Sequence, residues 1–239
     1  MKMKRTLTAA LLSALTIGAS APLLAQQAAG VTVSQPLYRL IDLAPDDGIA
    51  PGLVWGSSAG LAYASVYDQD GNEIATVSTD RPGSVGFDNG YASAQATVIG
   101  NTASMLLTLH SGYGFASANR SFNFTLSPHT QVVFNVDADL WATPEAPGLS
   151  WPTALAELYG SLRGMDSGDW AFATRAQLED GSQHGTLSVS AISQDDWVDG
   201  YLAFNAYAVA ESHALPVPEP ATSLMLLAGM GLLGLVRRR

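Results

Sequence analysis

The stretch SFNFTLSPHTQVVFNV, residues 121–136, carries the clearest structural pattern in the chain. Apolar and polar residues alternate on both sides of Ser127–Thr130, and the apolar positions are Phe122, Phe124, Leu126, Val132, Phe134 and Val136. Alternation with period two is typical of strands that bury one face. Ser-Pro-His-Thr has the composition of a turn. The stretch therefore predicts a hairpin in an antiparallel sheet with one buried face.

The same alternation extends through most of the chain. Runs separated by Asp, Gly, Asn or Pro predict further strands, at residues 61–67, 73–79, 91–99, 104–110, 170–178, 184–192 and 201–210. About ten short strands with turns roughly every 8 to 12 residues indicate an all-β fold. We expect an antiparallel β-sandwich, jelly-roll-like, with a barrel as the alternative.

The segment Trp151–Arg163 fits two structures. Its apolar residues Ala154, Leu155, Leu158 and Leu162 share the spacing of one helix face. The segment is equally compatible with a strand, so the sequence leaves helix and strand open here.

Residues 1–25 have the order of a signal peptide. Basic residues at the start precede an apolar run, and small residues follow it. Cleavage after Ala25 is favoured over cleavage after Ala21, because Pro22 directly follows the latter. We therefore expect export, with residues 26–215 as the folded extracellular domain.

The composition of this domain restricts its partners. It contains no cysteine and no lysine. It has five arginines and 20 of the chain's 21 acidic residues, which gives a formal charge of −15. A surface this acidic repels nucleic-acid phosphates and anionic lipid. We expect no nucleic-acid partner, and a stability that depends on the apolar core because no disulfide can form.

The C-terminal stretch 216–239 has three parts. Val-Pro-Glu-Pro is followed by an uncharged apolar run at 221–236, and three arginines come last. As a helix the run measures about 24 Å, against roughly 30 Å of bilayer hydrocarbon. Local thinning and snorkelling arginines accommodate such a short span. We expect a single transmembrane helix over 221–236 with the arginines on the cytoplasmic side.

This order of motif, apolar helix and arginine cluster resembles the PEP-CTERM sorting signal. The resemblance implies an exosortase as partner, a membrane-embedded cysteine-type transpeptidase of Gram-negative bacteria that cuts at or near Pro218-Glu219-Pro220. It also implies transient anchorage in the inner membrane, delivery to the cell surface, and an association with exopolysaccharide and biofilm. The residues of the implied sorting signal are Val217, Pro218, Glu219, Pro220, Arg237, Arg238 and Arg239.

A possible nucleophile motif lies at Gly56-Ser57-Ser58-Ala59-Gly60, which matches G-x-S-x-G. That motif activates a serine only at a strand-to-helix turn of an α/β sheet. Alternating residues follow it here. We predict that Ser58 is not a nucleophile and that the protein is not an enzyme.

Metal-binding patterns are weak. His110, His129, His184 and His213 lack the spacing of a zinc site, so they are expected on the surface. Asp68-Gln69-Asp70-Gly71-Asn72 has its glycine at the fourth position, whereas an EF-hand loop needs it at the sixth. A hairpin turn is predicted there.

Two other acidic loops contain Asp166 with Asp169, and Asp195 and Asp196 with Asp199. Loop carboxylates of a β-sandwich offer the oxygen ligands that calcium prefers. We expect no cofactor, with calcium as the alternative.

The expected function is that of a non-enzymatic protein of the cell surface or extracellular matrix. One alternative is a carbohydrate-binding module that uses aromatic side chains, with Trp55, Trp151 and Trp197 near loops. The other is a secreted hydrolase that uses loop carboxylates. A concave aromatic strip on one sheet face favours the first alternative, and two carboxylates facing each other in a cleft favour the second.

Overall fold

A computed structural model describes residues 26–144, 152–163 and 169–212. The predicted signal peptide and the tail 216–239 lie outside these ranges. Within them the chain forms thirteen strands. The strands are β1 Gln27–Val33, β2 Leu37–Asp42, β3 Leu53–Tyr67, β4 Glu73–Thr79, β5 Gly83–Asp88, β6 Ala92–Ile99, β7 Thr102–Leu109, β8 Gly112–Leu126, β9 Thr130–Thr143, β10 Thr153–Arg163, β11 Asp169–Leu178, β12 Gly181–Ile192 and β13 Val198–Ser212.

The strands form two antiparallel sheets. Sheet A has the order β12-β9-β1-β7-β6-β5, and β2 continues beyond β1 along the same side of β9. Sheet B has the order β11-β10-β13-β8-β3-β4. The two sheets pack face to face, so the predicted all-β sandwich is confirmed, while its jelly-roll-like character stays a prediction.

The core lies between the sheets, and the period-two pattern builds it. Alternate residues of every central strand are buried, and many of them are alanine. The largest fully buried apolar side chains include Phe134, Phe204, Leu107 and Leu109. Because each strand buries one side only, its other side forms one of the two outer faces.

The predicted hairpin at residues 121–136 is wrong. The apolar positions do point inward, but β8 belongs to sheet B and β9 to sheet A. The chain therefore crosses from one sheet to the other, and the rings of Phe124 and Phe134 meet across the core at 5.2 Å. The alternation identified the buried side of each strand and could not identify its neighbour.

Long-range hydrogen bonds stabilise this crossing. The Ser127 hydroxyl accepts from the backbone N–H of Gly52 at 2.7 Å, and the Thr130 N–H donates to the Ser193 hydroxyl at 2.9 Å. The Ser193 hydroxyl donates in turn to the Ser127 carbonyl at 2.5 Å. Ser127, Thr130 and Ser193 are buried, so this network ties three separate segments of the chain together where water cannot compete.

The undecided segment is a strand. Thr153–Arg163 forms β10, which pairs with β11 on one side and β13 on the other. Ala154, Leu158 and Leu162 are buried, whereas Leu155 lies on the opposite face. Two flanking strands satisfy the backbone of this segment, and tertiary pairing therefore overrides its helix-like spacing.

Three strands were not predicted: β1, β2 and β5. β1 has the sequence QAAGVTV and lies inside sheet A, where it pairs with β7 and with β9. Its small residues give a weak alternation signal. Its position between two long strands, rather than its own propensity, makes it a strand.

Candidate functional site

Five aromatic side chains cover one end of the outer face of sheet B: Tyr63, Tyr67, Tyr113, Phe115 and Tyr207. We call them the aromatic patch. The rings of Tyr63 and Phe115 stack with centroids 5.2 Å apart, and those of Tyr67 and Phe115 lie 6.5 Å apart at an interplanar angle of 10°. Tyr207 extends the group, with its ring 6.3 Å from Phe115. The patch spans three neighbouring strands, β3, β8 and β13.

Strand register assembles this patch. Between β3 and β8, Tyr67 lies directly opposite Tyr113, and Ser65 lies opposite Phe115. Ser65 is fully buried although it lies on the outer face. The neighbouring rings therefore cover Ser65. The rings themselves are half-buried, so part of each ring remains accessible to solvent.

A polar strip continues from the patch along the same face. Asn119 of β8 lies opposite Asn205 of β13, which in turn lies opposite Glu157 of β10. The Asn119 amide donates to the Tyr159 hydroxyl at 3.2 Å. Burial, and then the neighbouring Tyr201, raise the pKa of Tyr159, so its hydroxyl stays neutral at physiological pH.

An open cleft of about 560 Å³ lies beyond this strip, at the other end of the face. We call it the polar cleft. In it the Thr125 hydroxyl donates to Asp199 at 2.8 Å, and the Asn123 amide donates to the Ser57 hydroxyl at 2.7 Å. Its lining residues are Gly56, Asn123, Phe124, Thr125, Ser161, Arg163, Asp199, Gly200 and Tyr201.

Of the three predicted loop tryptophans, the structure describes Trp55 and Trp197, and neither belongs to the aromatic patch. Trp55 lies within β3 and packs against Tyr38 and the core rings of Phe124 and Phe134 at 5.8–6.1 Å. Trp197 lies in the loop before β13 and is 56% exposed, and Trp151 falls outside the described residues. Tyrosines on strand faces, rather than tryptophans on loops, build the aromatic surface.

Ser58 lies inside β3, at a register shift between Trp55 and Ser58. A strand continues on both sides of it, so the strand-to-helix turn that a nucleophile elbow requires does not exist here. Its hydroxyl accepts a hydrogen bond from Arg120 at 3.0 Å. That Ser58 is not a nucleophile stays a prediction.

His129 is more than a solvated surface residue. It lies in the predicted turn, but its Nδ1 is 2.7 Å from Asp47 Oδ2 and its Nε2 is 3.0 Å from Asp195 Oδ1. The hydrogen bond with Asp47, and then the one with Asp195, raise the pKa of His129. The side chain connects two loops at the sheet crossing.

His184 has a carboxylate partner as well. Its Nδ1 lies 2.6 Å from Asp139 Oδ1 on the outer face of sheet A, which raises the pKa of His184. The expectation that the histidines are merely solvated is therefore incomplete for both of these. His213 lies outside the described residues.

The predicted turn at residues 68–72 is confirmed and joins β3 to β4. The Asp68 carboxylate accepts from the backbone N–H groups of Asp70 and Asn72 and from the Asn72 amide, all within 2.9 Å. The hydrogen bond from the Asn72 side chain lowers the pKa of Asp68. Gly71 has a φ of 83°, which glycine adopts without strain.

No cluster of three or more metal-ligating side chains occurs among the residues that the structure describes. The side chains of Asp166 and Asp169 fall outside that set, so the calcium alternative stays a prediction. Nor does any helix within 26–144, 152–163 and 169–212 have the length and apolar character to span a bilayer.

The described part of the chain is thus an all-β sandwich with an aromatic outer face. The family model of the PEP-CTERM protein-sorting motif matches residues 216–239. The chain therefore carries a PEP-CTERM sorting signal, as the resemblance implied, and this signal indicates an exported protein that an exosortase processes. The matched range contains all seven sorting residues from Val217 to Arg239, which the structure does not describe.

Other comparisons add little. No curated protein matches the chain. Among solved structures, vicilin from Corylus avellana (hazelnut) is 7% identical over 82% of this chain and 78% of that chain, with a TM-score of 0.12. A likeness at this level carries no argument about fold or function.

Proposed function

We propose that this protein is a non-enzymatic component of the cell surface or extracellular matrix that binds exopolysaccharide through the outer face of sheet B. The observation that carries the proposal is the aromatic patch, which adjoins a strip of amide and hydroxyl groups. The sorting signal supplies the route to the surface, and the sandwich supplies a rigid support for the binding face.

The chemistry of the face suits a sugar chain. Sugar rings present apolar C–H faces and hydroxyl edges, and tyrosine combines an apolar ring with a polar hydroxyl. Asn119 and Asn205 offer both donors and acceptors to sugar hydroxyls. The rings lie on adjacent strands, and the amides lie farther along the same strands. This extended arrangement suits a sugar chain better than a single small ligand.

Charge indicates which sugars suit the site. The domain has a formal charge of −15, and Glu157 and Glu211 lie at the margins of the binding face. Like charges repel over the whole protein surface. We therefore propose a neutral or amino-sugar polymer rather than an acidic one.

The absence of catalysis is part of the proposal. Glycoside hydrolysis generally needs two carboxyl groups, roughly 5 to 9.5 Å apart across the bond that is cut. Asp199 is the single carboxylate among the described residues that line the polar cleft, and Thr125 already donates to it. This lining supports binding over hydrolysis.

Anchorage is also part of the proposal. The apolar segment 221–236 holds the chain in the inner membrane, with Arg237–Arg239 inside, until an exosortase cuts at Pro218-Glu219-Pro220. Replacing these three residues with alanine should leave export intact and trap the protein in the inner membrane, because the stop-transfer segment remains while the recognition site is lost.

Cell fractionation tests this route. Truncation after Leu215 provides the matched control, since it should release a soluble periplasmic domain instead. If the triple alanine variant reaches the surface at the normal level, the three residues are only a spacer and the sorting proposal fails.

A further inference from the structure

The polar cleft is formed by two rows of outward-facing residues on neighbouring strands of sheet B. In the first row, Asp199 of β13 lies between Arg163 of β10 and Thr125 of β8. In the second row, Tyr201 of β13 lies opposite Asn123 of β8. The volume of about 560 Å³ lies within the usual range of small-molecule sites.

A bulge in β3 opens one side of this cleft. The pairing of β3 with β8 shifts between Trp55 and Ser58, and Gly56 within the shift lines the cleft. A Cβ at Gly56 would lie 3.5 Å from the Asn123 Cβ, which is an ordinary contact distance. A larger side chain at this exposed position would therefore occupy space that the glycine leaves to a ligand.

Asp199 is held in place and keeps acceptor capacity for a ligand. The Thr125 hydroxyl donates to its Oδ1 at 2.8 Å, whereas an ionised carboxylate has about four acceptor sites. The residue is exposed to solvent. Hydroxyl groups of a ligand can therefore donate to it, in hydrogen bonds that are roughly twice as strong as those between neutral groups.

Asn123 and Tyr201 add a polar group and an apolar surface. The Asn123 amide nitrogen donates to the Ser57 hydroxyl at 2.7 Å, and its carbonyl oxygen is a further acceptor. The Tyr201 ring is 36% exposed and lies 6.3 Å from the ring of Tyr159 in the polar strip. It provides a flat surface for the C–H face of a sugar.

The charges of the lining are balanced. The described lining contains one acid, Asp199, and one base, Arg163, whereas the whole domain has a formal charge of −15. The domain repels an anion, and a cation in the cleft would lie near Arg163. Several acceptors beside an aromatic ring suit a ligand with many hydroxyl donors and no net charge.

We infer that the polar cleft binds one neutral hexose unit, stacked on Tyr201 and hydrogen-bonded to Asp199 and Asn123. This inference rests on the proposed function and names the sugar for one end of the binding face. Phe115 and Asn123 lie about 26 Å apart along β8, from a rise of about 3.3 Å per residue. A single hexose in the cleft therefore does not reach the aromatic patch, and only a longer chain contacts both.

Binding of simple glycosides tests the cleft separately from the polymer. Saturation-transfer NMR would use the full-length chain in a detergent without a sugar headgroup. The probes are the methyl glycosides of glucose, galactose and mannose, with glucuronate and glucosamine as charged competitors. We expect at least one neutral glycoside to bind with a Kd on the order of 1 mM, and more tightly than either charged sugar. No binding of a neutral glycoside, or tighter binding of a charged sugar, would overturn the inference.

Variants locate the bound glycoside. Gly56→Leu should abolish binding by filling the cleft, and Asp199→Asn should weaken it at least about fivefold, because the shape is kept and the charge is lost. Trp141→Ala on sheet A is the control and should bind like wild type. Equal binding by wild type and both cleft variants would place the sugar elsewhere and overturn the inference.

The inference and the proposed function fail in different ways. If the polysaccharide retards the wild-type protein in gels while no neutral glycoside binds, the cleft inference is wrong and the proposed function stands. If a glycoside binds in the cleft while the polysaccharide does not retard the protein, the proposed function is wrong and the cleft remains a hexose site.

Discussion

The two outer faces of the sandwich differ in chemistry although both sheets share one core. On sheet A, cross-strand pairs between β9 and β12 are polar: Thr186 donates to Asp137 at 2.7 Å, and His184 contacts Asp139. On sheet B, three adjacent strands carry aromatic rings that contact one another on the outer face. A solvated sheet needs only the first kind of face. The aromatic face of sheet B is not needed for the fold. This difference between the two outer faces is the main argument for a binding function.

The largest expected effect is a difference in stability between substitutions on the inner and outer sides of β8. Phe124→Ala removes a buried ring from the core and should lower the free energy of unfolding by about 3–5 kcal/mol. Phe115 lies on the same strand, in the aromatic patch. Phe115→Ala should lower the free energy of unfolding by roughly 1 kcal/mol, which is about the contribution of one cross-strand pair. Urea denaturation of both variants measures the contrast. Equal losses would mean that the patch is structural, which would weaken the comparison of the two faces.

Much of this inner side was predictable from the sequence. Alternation identified inward positions of β8 and β9, and it located seven further strands. Sheet pairing was not predictable. The crossing at Ser127–Thr130 depends on Gly52 and Ser193, which are 75 and 66 residues away from Ser127. No local pattern contains that information.

The candidate site was also predictable only in part, because it depends on sheet pairing. Tyr63 and Tyr67 lie in the predicted strand 61–67, whereas Tyr113 and Phe115 lie in a part of β8 that no predicted strand covered. Their assembly into one patch with Tyr207 requires the order β3-β8-β13. The sequence suggested an aromatic surface on the loop tryptophans, whereas the aromatic patch consists of four tyrosines and one phenylalanine on strands.

A smaller effect concerns sheet A. The Trp141 ring lies across Gly30 on its outer face, and a Cβ at Gly30 would overlap Trp141 Nε1. Gly30→Ala should displace this ring and lower the free energy of unfolding by about 1–3 kcal/mol. Gly185→Ala on β12 is the matched control, because a Cβ there meets nothing within 4 Å. Thermal denaturation compares the two, and identical midpoints would show that the ring does not depend on Gly30.

The smallest effect is a pH dependence of stability that comes from His129 and His184. The raised pKa values of His129 and His184 mean that both contribute stability below their ordinary pKa of 6.5, and that this contribution is lost as the pH rises through the raised values. The unfolding temperature should therefore decrease as the pH rises above about 6.5. His129→Gln combined with His184→Gln should flatten this slope, and an unchanged slope would assign it to other groups.

Polysaccharide binding should not follow this pH dependence. Burial raises the pKa of Tyr159 and Tyr207 on the outer face of sheet B, so neither hydroxyl ionises below pH 10. Binding measured at pH 6 and pH 8 should agree within about twofold, since these two hydroxyls stay neutral throughout that interval.

The most direct test compares the two outer faces in a single binding measurement. Affinity electrophoresis would follow the retardation of the full-length chain in gels that contain neutral exopolysaccharide from the native matrix. Tyr63→Ala with Phe115→Ala on sheet B should weaken binding at least about tenfold, which corresponds to 1.4 kcal/mol. Trp141→Ala on sheet A, also an exposed aromatic, should leave binding unchanged. Equal retardation of both variants and wild type would contradict the assignment of the binding face to sheet B.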